Sequence, residues 1–341
     1  MNPPALSAPR AEPTVPAPTR IARRACWRSW RPWRRSVAAL TAALLVAACG
    51  GSTEQYDPFV PQRLISFGDE ASALGDGTSA PLGANWSVNG RDGDGNFVCT
   101  VLPIWIQTLA SAYGFVFPEC NRGNVAAPQA RTWAVAGAKV ADVAAQIAAQ
   151  EQAGGFNEKD LVTYLAGTND VLELYRQYPQ RSDNDLIAES TERGRVAGRQ
   201  VNQIVRAGAK VILAEVPDLS FSPFAVAEKA ANSDTDRALL IYKLTAAFNV
   251  GLETTIILDG RYIGLAQIFQ RTQAIGRGTY GGFANVTGAV CAVAPPGCYT
   301  NTLVDGGNAN TWLWAHDRWL SHGGHSELAA MAIDRATRNP F

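Results

Sequence analysis

Three short stretches of the chain, RLISF (63–67), LVTYLAG (161–167) and VILAEVP (211–217), are apolar at almost every position. They are too short for helices. A strand with one wet face alternates apolar and polar residues, so runs without interruption read as strands covered on both sides. Helical stretches separate them: PIWIQTLASAYG (103–114), VADVAAQIAAQEQAGG (140–155), TERGRVAGRQVNQIVRAGAK (191–210), DRALLIYKLTAAFNVGLETTI (236–256) and, last, HSELAAMAIDRA (325–336). A further short strand is expected at TWAVAGA (132–138), a loop entering a helix at TNDVLELYRQY (168–178), and a strand or strand-helix edge at RYIGLAQI (261–268). Strands and helices alternating in this way predict an α/β chain with a mostly parallel sheet between two helical layers. No internal repeat or shift in composition divides the body, so residues 63–341 read as one domain. In such sheets ligands sit beyond the carboxyl ends of the strands. That places side by side the loops that follow RLISF, TWAV and LVTYLA.

The first 48 residues are of another kind. They hold eight arginines and one acidic residue; taking these from thirty basic and thirty acidic residues leaves a body with 22 basic and 29 acidic. Nucleic-acid binding needs clustered Lys and Arg, so this mildly acidic body argues against a nucleic-acid partner. Arginine-rich RRACWRSWRPWRRS (23–36) precedes the apolar run VAALTAALLVAA (37–48), which is the order of an export signal and too short to span a bilayer. The ending LLVAAC resembles the lipobox of bacterial lipoproteins. That resemblance implies a signal peptide over 1–48, lipidation of Cys49, a tether over 49–62 and a membrane reached through the lipid anchor. Gly50, rather than an aspartate, implies the outer membrane or periplasmic face. The plainer reading is a cleaved signal with an incidental cysteine. Beyond Cys26 and Cys49, four cysteines remain, and export would place them in an oxidising compartment. Of the three possible pairings, the local one, Cys99 with Cys120 and Cys291 with Cys298, is expected because each lies in loop-like sequence. No pair has the CxxC spacing of a redox or zinc site.

FGDE (67–70), WAVAGA (133–138), GTND (167–170) and a terminal block WLWAHDRWLSHGGHSELA (312–329) stand in the order and spacing of the GDSL, or SGNH, hydrolases, and the chain resembles that superfamily from about Arg63 onward. The resemblance implies a three-layer α/β/α sandwich with a flavodoxin-like sheet. It also implies ester hydrolysis by a serine in the first block. An oxyanion hole would be formed by that serine's N–H, a glycine of the second block and an asparagine of the third, and an Asp-x-x-His would stand in the fourth. No cofactor is implied. Carried over by position, Gly137 and Asn169 keep the hole. The attacking and proton-handling positions are replaced: Glu70 stands for the serine, His316 for the aspartate and Trp319 for the histidine.

These replacements matter chemically. A serine hydroxyl attacks only when an imidazole takes its proton, and an indole N–H cannot accept one. A carboxylate at position 70 would lie against donors meant for an oxyanion, and charge-assisted hydrogen bonds would hold it there. The expectation is therefore a hydrolytically impaired relative that serves as a surface-tethered ligand-binding module, with a small-molecule, lipid or glycan ester as the class of ligand. The alternative is a working carboxyl-ester hydrolase with rearranged residues, for instance His322 acting as base for Ser72 or Ser321. Asp69 and Asp170 read as loop organisers that accept backbone N–H bonds, and Trp319 as a packing or stacking aromatic at the pocket edge. His316, His322 and His325 fall within ten residues, but two glycines part the last two in a loop, and no metal site is expected.

Overall fold

The computed structural model describes residues 58–338. The expected signal peptide, Cys49 and the tether as far as residue 57 lie outside the described residues. Five parallel strands, β1 (Arg63–Gly68), β2 (Ala130–Thr132), β3 (Asp160–Leu165), β4 (Lys210–Ala214) and β5 (Ile263–Ala266), pair in the order β2-β1-β3-β4-β5. This is the flavodoxin-like order of doubly wound sheets. The helices, in chain order, are α1 (Trp105–Ala112), α2 (Val140–Gln152), α3 (Thr168–Tyr175), α4 (Asp183–Arg206), α5 (Pro223–Ala231), α6 (Arg237–Glu253), α7 (Ile268–Gly276) and α8 (His322–Arg338). A separate parallel pair, β6 (Asn285–Ala289) and β7 (Trp312–Trp314), lies in the long segment before α8.

The uninterrupted apolar strands have the physical cause expected of them. Along each central strand, alternate side chains enter opposite layers. Ile65, Phe67, Val162, Tyr164, Val211 and Leu213 pack with α2, α4 and α6. Leu64, Leu161, Leu165, Ile212 and Ala214 pack with α1 and α8. Even the polar members of the runs are paired, as where the buried Thr163 hydroxyl donates to Ser66 Oγ at 2.7 Å.

Several elements differ from their sequence reading: α7 and the β6–β7 pair went unread, and α8 begins at His322, so the two glycines expected in a loop lie in its first turn. The strand expected at TWAVAGA is three residues, ART, ending at Thr132. From Trp133 onward the chain still donates its Trp133 and Val135 N–H groups to Ser66 and Gly68 carbonyls, but it is already leaving the sheet edge. β2 has one exposed face, so a test for apolar runs passes over it. Helix α4 starts at Asp183, eight residues before the expected start, where the Ser182 hydroxyl accepts from Asp185 N and two aspartates occupy the first turn. Helix α5 went unread, although Ser222 as cap and Pro223 in the first turn are its start signal.

Helices α4 and α6 cross in unusually close contact. A Cβ at Gly194 would stand 2.0 Å from the Phe248 carbonyl oxygen, and the Phe248 ring lies directly beneath the loop at Gly167. The helix pair thus sets the height of the loop that carries Asn169. We predict that Gly194→Ala lowers stability by about 1–3 kcal/mol through overpacking, measured by denaturant unfolding. An unchanged midpoint would contradict the close crossing.

One buried carboxyl, Glu215, directly follows the end of β4. Glu215 accepts from Phe269 N at 3.0 Å and Gln270 Nε2 at 3.2 Å, and it neighbours Glu253. Burial above all, then Glu253, pushes its pKa up to about 9. The folded protein therefore keeps a proton that the unfolded chain releases above its ordinary value of 4.5. Its contribution to stability is complete below that value and declines as pH climbs toward 9, by at most about 1.4 kcal/mol per pH unit. Glu215→Gln, which mimics the protonated form, should flatten this decline in unfolding measurements between roughly pH 6 and pH 8. Parallel slopes for both proteins would rule out the assignment.

Candidate functional site

Strand β1 ends at Gly68 with φ +140°, where a Cβ would lie 1.8 Å from the Leu165 carbonyl oxygen. Only glycine lets the chain turn out of the sheet there. Gln146 of α2 grips the turn from below, accepting from Gly68 N at 2.9 Å and donating to Gly68 O at 2.8 Å. Asp69 follows, wholly buried, and Oδ1 accepts from Ala71 N at 3.0 Å. Burial, with the charge of Glu70 next, holds its carboxyl well above the usual carboxylate range. In the first turn of α3 Asp170 is likewise an organiser: Oδ2 accepts from Val140 N at 2.9 Å, joining α3 to the start of α2. Burial raises its pKa against the pull of that bond and of Arg193.

Between these aspartates stands Glu70, 2% exposed. Its Oε2 accepts from Gly137 N at 2.7 Å and from Asn169 Nδ2 at 2.8 Å. Its Oε1 accepts from the Trp319 indole Nε1 at 2.8 Å and lies 3.4 Å from Arg318 Nη2. Three hydrogen bonds and one ion pair, drawn from three distant segments, converge on a single carboxylate.

Arg318 and Trp319 sit at the tip of a return between β7 and α8, where Trp314 and Leu320 form an antiparallel bridge and Ala315 N donates to Trp319 O at 2.7 Å. The guanidinium stacks on the Trp319 ring at 4.3 Å and donates to Asp317 Oδ2 at 2.9 Å. Asp317 O in turn accepts from Phe224 N of α5 at 2.9 Å. Trp319 packs at the pocket edge as expected, and its N–H is in addition a donor aimed at position 70. Arg318 was missed, since nothing in the spacing distinguishes it from a solvated arginine.

The remaining residues are placed elsewhere. His316 packs 6.0 Å from the Trp319 ring and turns its Nδ1 to Asp317 at 3.4 Å, away from position 70. His322 Nδ1 pairs with Pro103 O at 3.0 Å. Ser72 Oγ accepts from Trp105 Nε1 at 3.1 Å, and the Ser321 hydroxyl donates to the Ala309 and Trp312 carbonyls. Neither serine faces His322, so the rearranged triad is not assembled. Among the described residues no group of His, Cys, Asp and Glu could hold a metal ion.

Two long segments whose course was illegible from pattern close over the pocket. Ser87 Oγ donates to Leu320 O at 2.9 Å, and Asn89 ties its own loop to the carbonyls of Pro296 and Cys298. The disulfides are Cys99–Cys120 and Cys291–Cys298, with Cα separations of 5.9 and 5.8 Å. Beside Glu70, lined by Trp86, Thr168, Pro217 and Trp319 among others, only about 20 Å³ remains. That is room for one water, not for an acyl group.

No protein-family model matches the chain, and no curated protein does. Among solved structures it is similar to a lipolytic protein of the G-D-S-L family from Veillonella parvula, at 10% identity over 80% of this chain and 96% of that one, TM-score 0.39. It is similar to an acetylxylan esterase from Geobacillus stearothermophilus, at 15% identity over 82% and 96%, TM-score 0.38. A lipase from a goat rumen metagenome matches at 14% over 80% and 96%, TM-score 0.42.

Removing the Glu70 side chain would strand buried donors around a hole shaped for a carboxylate. We expect Glu70→Ala to lose about 3–5 kcal/mol, and added formate or acetate to restore part of it by binding the folded state. Thermal unfolding with and without formate reads this out. No gain beyond that of chloride at equal ionic strength would refute a carboxylate-specific hole.

Proposed function

We propose that the chain is a hydrolytically silent relative of the SGNH esterases, exported, lipid-anchored through Cys49 at the outer membrane or periplasmic face, and working there as a tethered binding or scaffolding module. Its ligand class is that of the related fold: a small-molecule, lipid or glycan ester. The observation that carries this reading is the Glu70 carboxylate lodged against Gly137 N, Asn169 Nδ2, Trp319 Nε1 and Arg318.

The donors that would stabilise a developing oxyanion are engaged by the protein's own side chain. An ester oxygen entering the pocket would have to displace an ion-paired group. Among the described residues the donors to that carboxylate are Gly137, Asn169 and Trp319 rather than an imidazole, and the Trp319 indole gives a hydrogen bond without being able to take a proton. The residual space of about 20 Å³ argues in the same direction. A ligand would thus be met on the outer rim of the pocket, where His316 and Asp317 are each about one-third exposed.

The test is chemical. The purified body should neither turn over a short-chain nitrophenyl ester above the rate of Glu70→Ala, nor be labelled at a serine by a fluorophosphonate. Stoichiometric labelling at a pocket serine, or turnover abolished by Glu70→Ala, would overturn the proposal.

A further inference from the structure

Buried polar atoms are nearly always partnered, by protein or by solvent. Three buried side-chain atoms without a protein partner belong to residues that line the same small cavity behind Glu70: Asp69 Oδ2, Arg318 Nε and His325 Nδ1. Asp69 and His325 are 0% and 2% exposed, so none of their unmet demand is relieved by bulk solvent. Of the rest of the lining, Ala71, Trp86, Leu165, Pro217 and Leu320 are largely apolar, Glu70 and the Trp319 N–H are engaged with each other, and Thr168 adds a hydroxyl. The cavity measures about 20 Å³, above the roughly 10–15 Å³ that one water needs and far below what a larger ligand needs.

We propose that this cavity is a binding site for a single ordered water that bridges Asp69, Arg318 and His325. The chemistry of the three atoms selects a neutral molecule that both donates and accepts. Arg318 Nε carries a proton and can only donate. Burial pushes the His325 pKa down to about 3, leaving a neutral imidazole whose Nδ1 accepts in the tautomer protonated at Nε2. A cation would face the guanidinium, and an anion would face Asp69 and Glu70. Water accepts from Arg318 Nε and gives one hydrogen each to Asp69 and His325. The arrangement links the end of β1, the return before α8 and α8 itself, and it holds the Arg318 fork with Nη2 toward Glu70. Its role is that of a positioning water, and it stands whether or not the pocket hydrolyses anything.

The test has two arms on the intact folded chain. A crystal structure that shows ordered solvent should contain one peak within hydrogen-bond distance of all three atoms. An empty cavity, or a direct pairing between any two of them, overturns the proposal. In solution, a water-selective nuclear Overhauser spectrum should show a cross-peak from a long-lived water to the Arg318 Nε proton, lost in a His325→Leu variant that keeps the wild-type amide spectrum. A cross-peak unchanged in that variant overturns the three-way bridge. If the variant does not fold, the wild-type crystal peak decides.

Discussion

One buried negative charge organises the carboxyl end of this sheet. A carboxylate taken out of water is strongly unfavourable unless paired and hydrogen-bonded, and Glu70 at 2% exposure meets that demand with donors from three other segments of the chain. Each donor is itself fixed by something beneath it. Gly137 leads into α2, which grips the first loop through Gln146. Asn169 rides on the loop propped by Phe248. Trp319 and Arg318 stack on one another above the anchor at Phe224. Removing any one support would misdirect a donor rather than merely loosen a surface.

Such an arrangement separates two properties that an ester-cleaving pocket normally joins. Groups that stabilise negative charge do so whether that charge appears transiently on a substrate or permanently on the protein. Here the permanent occupant is better held than a neutral carbonyl could be, because its bonds are charge-assisted. On the reading proposed above, the same donors that would favour a transition state become part of the architecture and contribute to folding.

Much of the fold was legible in the sequence because its cause is local. Leu64 and Ile65, or Ile212 and Leu213, must point into opposite layers, and adjacent apolar residues on a strand require two covered faces. The edge strand β2 was placed a few residues too late because one of its faces is wet and its residues are Ala, Arg and Thr, whereas the apolar stretch after it leaves the sheet. At the site, Glu70, Gly137 and Asn169 came from motif order, and their meeting follows from the strand order. Arg318 was invisible, since a charged residue next to Trp319 carries no period and no motif; only the return at Trp314 and Leu320 turns it inward. The covering loops were equally unreadable. Their course is set by side chains such as Ser87 and Asn89 bonding to carbonyls more than two hundred residues away.

The hydrogen bond between Trp319 and Glu70 joins residues 249 positions apart. A chain that emerges amino end first cannot complete this contact until residue 319 is available, and closing so long a loop is entropically unfavourable in advance of the contacts it brings. The sheet and its early helices can assemble while Glu70 remains hydrated at their rim. Desolvation of the acid then coincides with docking of α8, so maturation of the pocket becomes a checkpoint on the arrival of the segment around Trp319.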